Sequence, residues 1–84
     1  MPIASYTSGR ETVYTYTSDA VSGSGDDDTL FSLTPRKVQQ FVAGTPVAVS
    51  YSIFPSAGVE IDVQGASSDA AWNDPGNLYT TNLF

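Results

Sequence analysis

The chain has 84 residues, a net charge of −6, and neither cysteine nor histidine. These numbers exclude disulfides, thiolate zinc sites and the side chain that most often serves as a general base. Three basic residues against nine acidic ones also disfavour nucleic acid and anionic membranes as partners, because both attract lysine and arginine.

The composition predicts strands rather than helices. Valine, threonine and tyrosine are frequent, and seven glycines and five prolines interrupt the chain. Residues 1–10 are predicted to form an extended, irregular arm, in which Ile3 and Tyr6 are candidate anchors. The start of the chain lacks the basic and apolar regions of a signal peptide, and no apolar run is long enough to span a membrane.

A first strand is predicted over residues 11–18, with Tyr14 and Tyr16 on one face, followed by a loop over 19–28. The loop contains three consecutive aspartates, Asp26–Asp28. Carboxylates bind hard cations such as calcium, but the loop lacks the D-x-[DN]-x-[DN]-G pattern and the distal glutamate of a calcium site. A cation site and a solvated loop are both open here, and we favour the solvated loop.

Residues 29–35 alternate imperfectly and predict a strand that Pro35 ends. Residues 36–44 fit either a helical turn or a strand, and we favour the strand. The clearest pattern is a β-hairpin over residues 46–64, in which two runs of alternating apolar residues flank a short turn containing proline and glycine. Val47, Val49, Tyr51 and Ile53 share one face of its first strand.

The last part of the chain reads as a turn-rich segment at 66–77 followed by a final strand at 78–84. Trp72 is the one large apolar residue of the turn-rich segment, and Leu78 and Leu83 are predicted to anchor the last strand. Together these elements predict one all-β domain over residues 1–84. Its expected form is a small antiparallel β-sandwich or barrel-like sheet of five to seven strands with an extended N-terminal arm.

The sequence offers no catalytic constellation. Nucleophilic catalysis by serine or threonine needs an activating base, and the G-x-S-x-G pattern of the nucleophile elbow does not occur. We therefore expect no enzymatic activity, no catalytic residues, no cofactor and no bound metal.

Aromatic residues and the apolar ends of the chain are the candidate binding features. One interpretation of the aromatic residues is a stacking platform for a sugar, formed by Trp72, Tyr79, Tyr14 and Tyr16, with Asp69, Asn73 and Asp74 as hydrogen-bonding partners. The other interpretation is that they belong to the core or to a protein interface. The apolar ends dock either on a neighbouring subunit or back onto the same domain. The residues predicted to contact another protein are Ile3, Tyr6, Tyr14, Tyr16, Trp72, Tyr79, Leu83 and Phe84.

The second half of the chain has a distinctive order of segments. It contains TPVAVSYSI at 45–53, a short Pro/Gly turn, VEIDV at 59–63, SSDAAWND at 67–74 and a closing aromatic segment. In this order of segments, residues 36–84 resemble small virion proteins of tailed bacteriophages. Such proteins are short, cysteine-free, Ser/Thr-rich β-domains, and the resemblance carries no catalytic motif.

The resemblance implies a decoration or cement protein of the phage head. It would be made in the host cytoplasm, reside in the virion, and bind the major capsid protein or other virion subunits as well as further copies of itself. A structural component of the neck or tail is the alternative within this class. A carbohydrate-binding β-sandwich module is the alternative from another class.

Overall fold

The computed structural model describes the backbone of residues 3–7 and all of residues 9–84. Its strands form one antiparallel sheet in chain order, so that each strand pairs with the next. The strands are β1 (Ile3–Thr7), β2 (Arg10–Thr15), β3 (Lys37–Val42), β4 (Thr45–Ser56), β5 (Val59–Gln64) and β6 (Leu78–Leu83). The prediction of a small all-β antiparallel fold is confirmed. The sheet is open and not closed into a barrel, and loops form the layer packed against it.

The predicted hairpin is formed by β4 and β5 around the turn Ala57–Gly58. In its register, Tyr51 lies opposite Val63 and Ile53 opposite Ile61. Because paired residues in a sheet share a face and successive residues alternate, these side chains all point to one side, which we call the inner face. The opposite, outer face carries polar side chains, Ser50 and Ser52 from β4 and Glu60, Asp62 and Gln64 from β5.

The core lies between the inner face and two loop elements. Val49, Tyr51 and Ile53 of β4 and Val63 of β5 are buried there. Val21 of the 3₁₀ helix at Ser18–Val21 and Ala70 of the 65–77 loop cover them, with Ile61 and Trp72 packed at the margin. The Tyr51 hydroxyl donates a hydrogen bond to Ala70 O at 2.6 Å and fastens the covering loop to the sheet. Burial, together with the nearby charge of Asp69, raises the pKa of Tyr51 above its usual value.

The backbone of the predicted arm is regular over residues 3–7. It pairs with β2, from Ile3 opposite Tyr14 to Thr7 opposite Arg10. The backbone of residues 3–7 therefore folds back onto the same domain. The side chains predicted as anchors, Ile3 and Tyr6, lie outside the described part of the molecule. Within the described residues, no helix has the length and apolarity needed to cross a bilayer.

The strand predicted over residues 29–35 is wrong, because this segment forms turns. Leu30 N donates to Asp27 O at 3.1 Å and Thr34 N to Phe31 O at 2.8 Å. The segment alternates as a strand would, but its carbonyl oxygens are bound by a buried side chain, described below, and not by a neighbouring strand. The strand predicted within 36–44 is confirmed as β3.

Three expectations about apolar side chains are also wrong. Leu78 and Leu83 are exposed, because β6 is the outermost strand of the sheet. Val47 is 45% exposed instead of sharing the buried face. A register shift makes Gln40 face Ala48 and Phe41 face Pro46, which leaves Val47 as the extra residue of a β-bulge.

Candidate interaction surface

The loop between the 3₁₀ helix and β3 is organised around Arg36, whose side chain is fully buried. Its Nε donates to both carboxylate oxygens of Asp26, at 2.8 and 3.0 Å. The two terminal nitrogens donate to backbone carbonyls of the same loop, so the guanidinium group finds acceptors on all sides. These carbonyls belong to Asp27, Leu30, Phe31 and Thr34.

Asp26 connects the loop to the rest of the molecule. Its carboxylate also accepts hydrogen bonds from the Ser18 hydroxyl in the 3₁₀ helix and from Phe54 N in β4, the latter at 2.8 Å. With its side chain only 1% exposed, Asp26 does not fit the predicted solvated loop. The ion pair with Arg36 explains the burial, because a buried carboxylate needs a compensating charge and hydrogen bonds.

The other two aspartates of the triplet are exposed and serve local geometry. Asp27 accepts hydrogen bonds from the Thr29 hydroxyl and Thr29 N, and these two bonds, the hydroxyl bond first, hold the pKa of Asp27 below its usual value. Asp28 lies 3.4 Å from Ser18 N. Among the residues that the structure describes, no three carboxylates or other ligating side chains are grouped to hold a metal ion.

The Arg36 loop presents an aromatic side chain in an unusual backbone conformation. Phe31 has a φ of +50°, a region that non-glycine residues rarely occupy. Its carbonyl accepts hydrogen bonds from Arg36 Nη1 and Thr34 N, which hold the residue there. Its ring packs against Phe54, with centroids 4.7 Å apart, while the Arg36 guanidinium lies 4.6 Å from the same Phe54 ring.

Phe31 and Phe84 form an exposed aromatic pair, and Leu33 is exposed two residues after Phe31 on the same loop; we call these three side chains the phenylalanine patch. The Phe31 and Phe84 ring centroids are 6.3 Å apart, and Phe84 N donates to Gly58 O at 2.9 Å. The side chains of Phe31, Leu33 and Phe84 are 46%, 91% and 74% exposed. Strained residues and exposed apolar clusters both concentrate at binding sites, so this patch is the main candidate for contact with another protein.

The open edge of β6 is the second candidate surface. In the described structure, β6 pairs with β5 alone, and all six of its residues are exposed. Charged residues, prolines and β-bulges usually prevent a sheet edge from pairing with another chain. β6 contains no charged residue and no proline, and its pairing with β5 runs without a bulge. The edge at Leu78–Leu83 is therefore free to accept another strand.

The turn-rich segment uses the predicted aromatic residues differently from a sugar platform. Trp72 is half-buried against the core, and its Nε1 donates to Ser22 O at 3.2 Å. The Tyr79 hydroxyl donates to Asp74 O at 2.7 Å and closes the turn. This geometry favours the core interpretation of Trp72.

The other predicted contact residues lie in different parts of the fold from Trp72. Tyr14 and Tyr16 are half-buried in and just after β2, whereas Phe84 follows β6 with its ring next to Phe31. Of the predicted contact residues whose side chains the structure describes, Phe84 belongs to the phenylalanine patch, and Tyr79 and Leu83 belong to the open edge of β6.

Sequence reasoning missed Phe31, Leu33 and Leu78 as exposed apolar residues and Arg36 as the centre of the loop. One signal was available for Arg36, because it is one of only three basic residues and lies ten positions after Asp26, the first residue of the aspartate triplet. A cation between an acidic loop and an apolar strand is a candidate for a buried ion pair. Nothing in the local pattern distinguishes an exposed Leu33 from a buried one.

Comparisons with known proteins do not place the chain in a family. No family model, no curated protein and no solved structure matches it. Function is therefore inferred from the surfaces described above.

Proposed function

We propose that this protein is a non-enzymatic structural subunit that binds other protein subunits through the phenylalanine patch. The observation that carries the proposal is the exposure of Phe31 and Leu33 on a loop held by a buried ion pair, with the exposed Phe84 ring beside Phe31. Apolar side chains on a preorganised loop lose little conformational entropy when they bind, which favours association.

The charges around the patch indicate the kind of partner surface. The patch side chains are uncharged, while Asp27 and Asp28 lie exposed on the same loop and the chain has a net charge of −6. A complementary partner presents an apolar recess bordered by lysine or arginine. Positive charge at the rim of the recess would also accelerate association.

The setting that we propose is the particle of a tailed bacteriophage, with the chain decorating or cementing the capsid shell. The resemblance of residues 36–84 to small virion proteins supports this setting, and the exposed apolar patch is suited to docking on a shell. A neck or tail position would use the same kind of contact and differs in copy number. Hundreds of copies per particle indicate the shell, and six or twelve indicate the neck or tail.

The Leu33→Ser variant tests the patch. Leu33 is 91% exposed, so its replacement should leave the fold intact while removing apolar area from the interface. We expect occupancy on purified capsids to require roughly ten- to a hundredfold more protein, since a buried leucine contributes roughly 1.5–3 kcal/mol. Binding is measured by co-sedimentation with capsids stripped of the protein.

Val47→Ser is the matched control. It removes another exposed apolar side chain, nine residues along β4 from Ser56 and therefore about 30 Å from the patch end of the strand. Capsid binding of this variant should equal that of the wild type. Equal binding by Leu33→Ser would exclude the patch as the contact, and a wild type that binds neither capsids, necks nor tails would exclude the phage setting. A glycan-array signal abolished by Trp72→Ala would instead support the carbohydrate-binding alternative.

A further inference from the structure

The open edge of the sheet has a symmetric order of polarity. From Leu78 to Phe84 the residues are two apolar, three polar and two apolar, LYTTNLF, with Thr81 at the centre. A two-fold axis through an antiparallel strand pair places a residue opposite its own copy and its neighbours opposite each other. A strand with this order of polarity therefore matches a second copy of itself.

The backbone of β6 is oriented for such a pairing. Phe84 N donates to Gly58 O, so Phe84 directs its backbone polar groups toward β5. Along an antiparallel strand these groups alternate between the two neighbours. The backbone groups of Tyr79, Thr81 and Leu83 accordingly point to the open edge.

We propose that two copies of this chain associate edge to edge through β6, with Thr81 opposite Thr81 of the second copy. Tyr79 then lies opposite the second copy's Leu83, and Leu78 lies opposite its Phe84. The outward backbone groups form three residue pairs that exchange roughly six hydrogen bonds. The apolar side chains meet on both faces of the joined sheet, and Thr80 meets Asn82.

Neighbouring registers do not match in this way. If Thr80 lay opposite its own copy, Leu78 would face Asn82 and Tyr79 would face Thr81. If Asn82 lay opposite its own copy, Leu83 would face Thr81. Each of these shifts places apolar side chains against polar ones, so the polarity pattern selects the register centred on Thr81.

The net negative charge of each copy does not oppose this contact strongly. β6 carries no charge, and the nearest carboxylates are Glu60 and Asp62 on β5, which pair with Asn82 and Thr80. In the proposed register, Glu60 of one copy and Asp62 of the other are separated by three strand spacings, about 14 Å. That distance exceeds the screening length of about 8 Å at physiological salt.

The pairing goes beyond the proposed function and is tested separately from it. Shell binding depends on Leu33, whereas edge pairing depends on Thr81. The Leu33→Ser variant should therefore associate as the wild type does, and a negative result in one experiment leaves the other proposal standing.

Two opposite charges at position 81 provide the decisive test. Thr81 is exposed in the single chain, so Thr81→Lys and Thr81→Asp should both fold normally. Like charges then face each other at the two-fold axis. The dimer of each variant alone should have a dissociation constant at least about tenfold higher than that of the wild type. An equimolar mixture of the two variants should recover association, because opposite charges meet.

The measurement is sedimentation equilibrium over roughly 10 µM to 1 mM, since an interface smaller than about 1,200 Å² gives a weak complex. The mass of the wild type should rise from 8.9 kDa toward twice that value. A wild type that remains at 8.9 kDa throughout would overturn the proposal. So would association that the charged variants leave unchanged, or a mixture that fails to recover it.

A disulfide test fixes the register, because the chain contains no cysteine. The α-carbons of Thr81 and its copy would lie about 5.5 Å apart, within disulfide range. Those of Thr80 and its copy would lie about 8 Å apart, which is too far. Thr81→Cys should therefore form a covalent dimer on mild oxidation and Thr80→Cys should not. The reverse result would contradict the register.

Discussion

Arg36 shows how a single buried residue determines the shape of a long connection. The segment between β2 and β3 has few apolar residues to bury, and its turns have no strand partner for their carbonyl groups. The guanidinium group supplies hydrogen bonds to four of those carbonyls and pairs with Asp26. A hydrophobic side chain at this position would remove the hydrogen bonds to the carbonyls and leave the buried carboxylate without a compensating charge, which is costly in a buried site.

Replacement of Arg36 should therefore destabilise the fold according to what the new side chain retains. Arg36→Met leaves Asp26 buried without a compensating positive charge and should lower the free energy of unfolding by about 3–5 kcal/mol. Arg36→Lys keeps the positive charge but loses the forked donors of the guanidinium group. It should therefore lower the free energy of unfolding by less than Arg36→Met does, but measurably. Urea unfolding measures both. A lysine variant as stable as the wild type would show that the charge alone, without the backbone hydrogen bonds, holds the loop.

Glu60 provides a pH-dependent term on the outer face. A hydrogen bond with Asp62, together with partial burial and the Asp62 charge, raises the pKa of Glu60 above 4.5. A carboxyl group with a higher pKa in the folded than in the unfolded chain stabilises the fold when protonated. That stabilisation is present below the pKa of the unfolded chain and is lost as the pH rises through the raised pKa of Glu60 in the folded chain.

Glu60→Gln should accordingly have a higher free energy of unfolding than the wild type at pH 7. The amide N–H can donate a hydrogen bond to Asp62, which the ionised Glu60 cannot do. The advantage should shrink as the pH falls below 4.5, where the wild-type Glu60 is protonated. Urea midpoints at several pH values measure the difference. Glu11→Gln on β2 controls for the change in net charge, and an equal gain at all pH values would contradict the prediction.

At the scale of elements, the exit from β5 depends on a glycine. A Cβ added to Gly65 would lie 2.6 Å from Val49 Cγ1 and within 3.0 Å of the backbone oxygens of Ser67 and Val49. Gly65 N also donates to Val49 O at 3.0 Å, which fixes this close approach. The start of the loop that covers the core therefore has no space for a side chain.

Gly65→Ala should lower the free energy of unfolding by about 1–3 kcal/mol, as overpacking of a fixed site does. Gly58→Ala is the matched variant in the β4–β5 turn, where the nearest atom to an added Cβ is Phe84 O at 3.9 Å. This second change should be neutral or slightly stabilising, because alanine restricts the unfolded chain. Thermal unfolding of the two variants compares them directly, and equal stability would show that the loop moves to accommodate the methyl group.

The elements that could be predicted are those whose pattern is local. The alternation in β4 and β5, interrupted by Pro55 and Gly58, specifies a hairpin without reference to the rest of the chain. The segment around Phe31 alternates almost as well, but the side chain of Arg36, which directly follows this segment, binds its carbonyls and turns it into a loop. Local alternation cannot reveal which partner the backbone will find.

At the scale of the whole molecule, burial depends on strand order, which a local pattern does not contain. Leu78 and Leu83 read as anchors because they are apolar, yet they lie on the outermost strand and are exposed. The same limit applies to the candidate surface. Leu83 and Phe84 were predicted as contact residues from their position, whereas Leu33 reaches the surface only because the Arg36 loop folds as it does.

The two ends of β4 face opposite directions along its 12 residues. One end meets Gly58 and Phe84, next to the phenylalanine patch. The other begins at the two-residue turn Ala43–Gly44, where both residues have positive φ, +50° and +80°. A peptide epitope inserted between those two residues would project from the end of β4 away from the phenylalanine patch, so the proposed docking would leave such an insertion accessible.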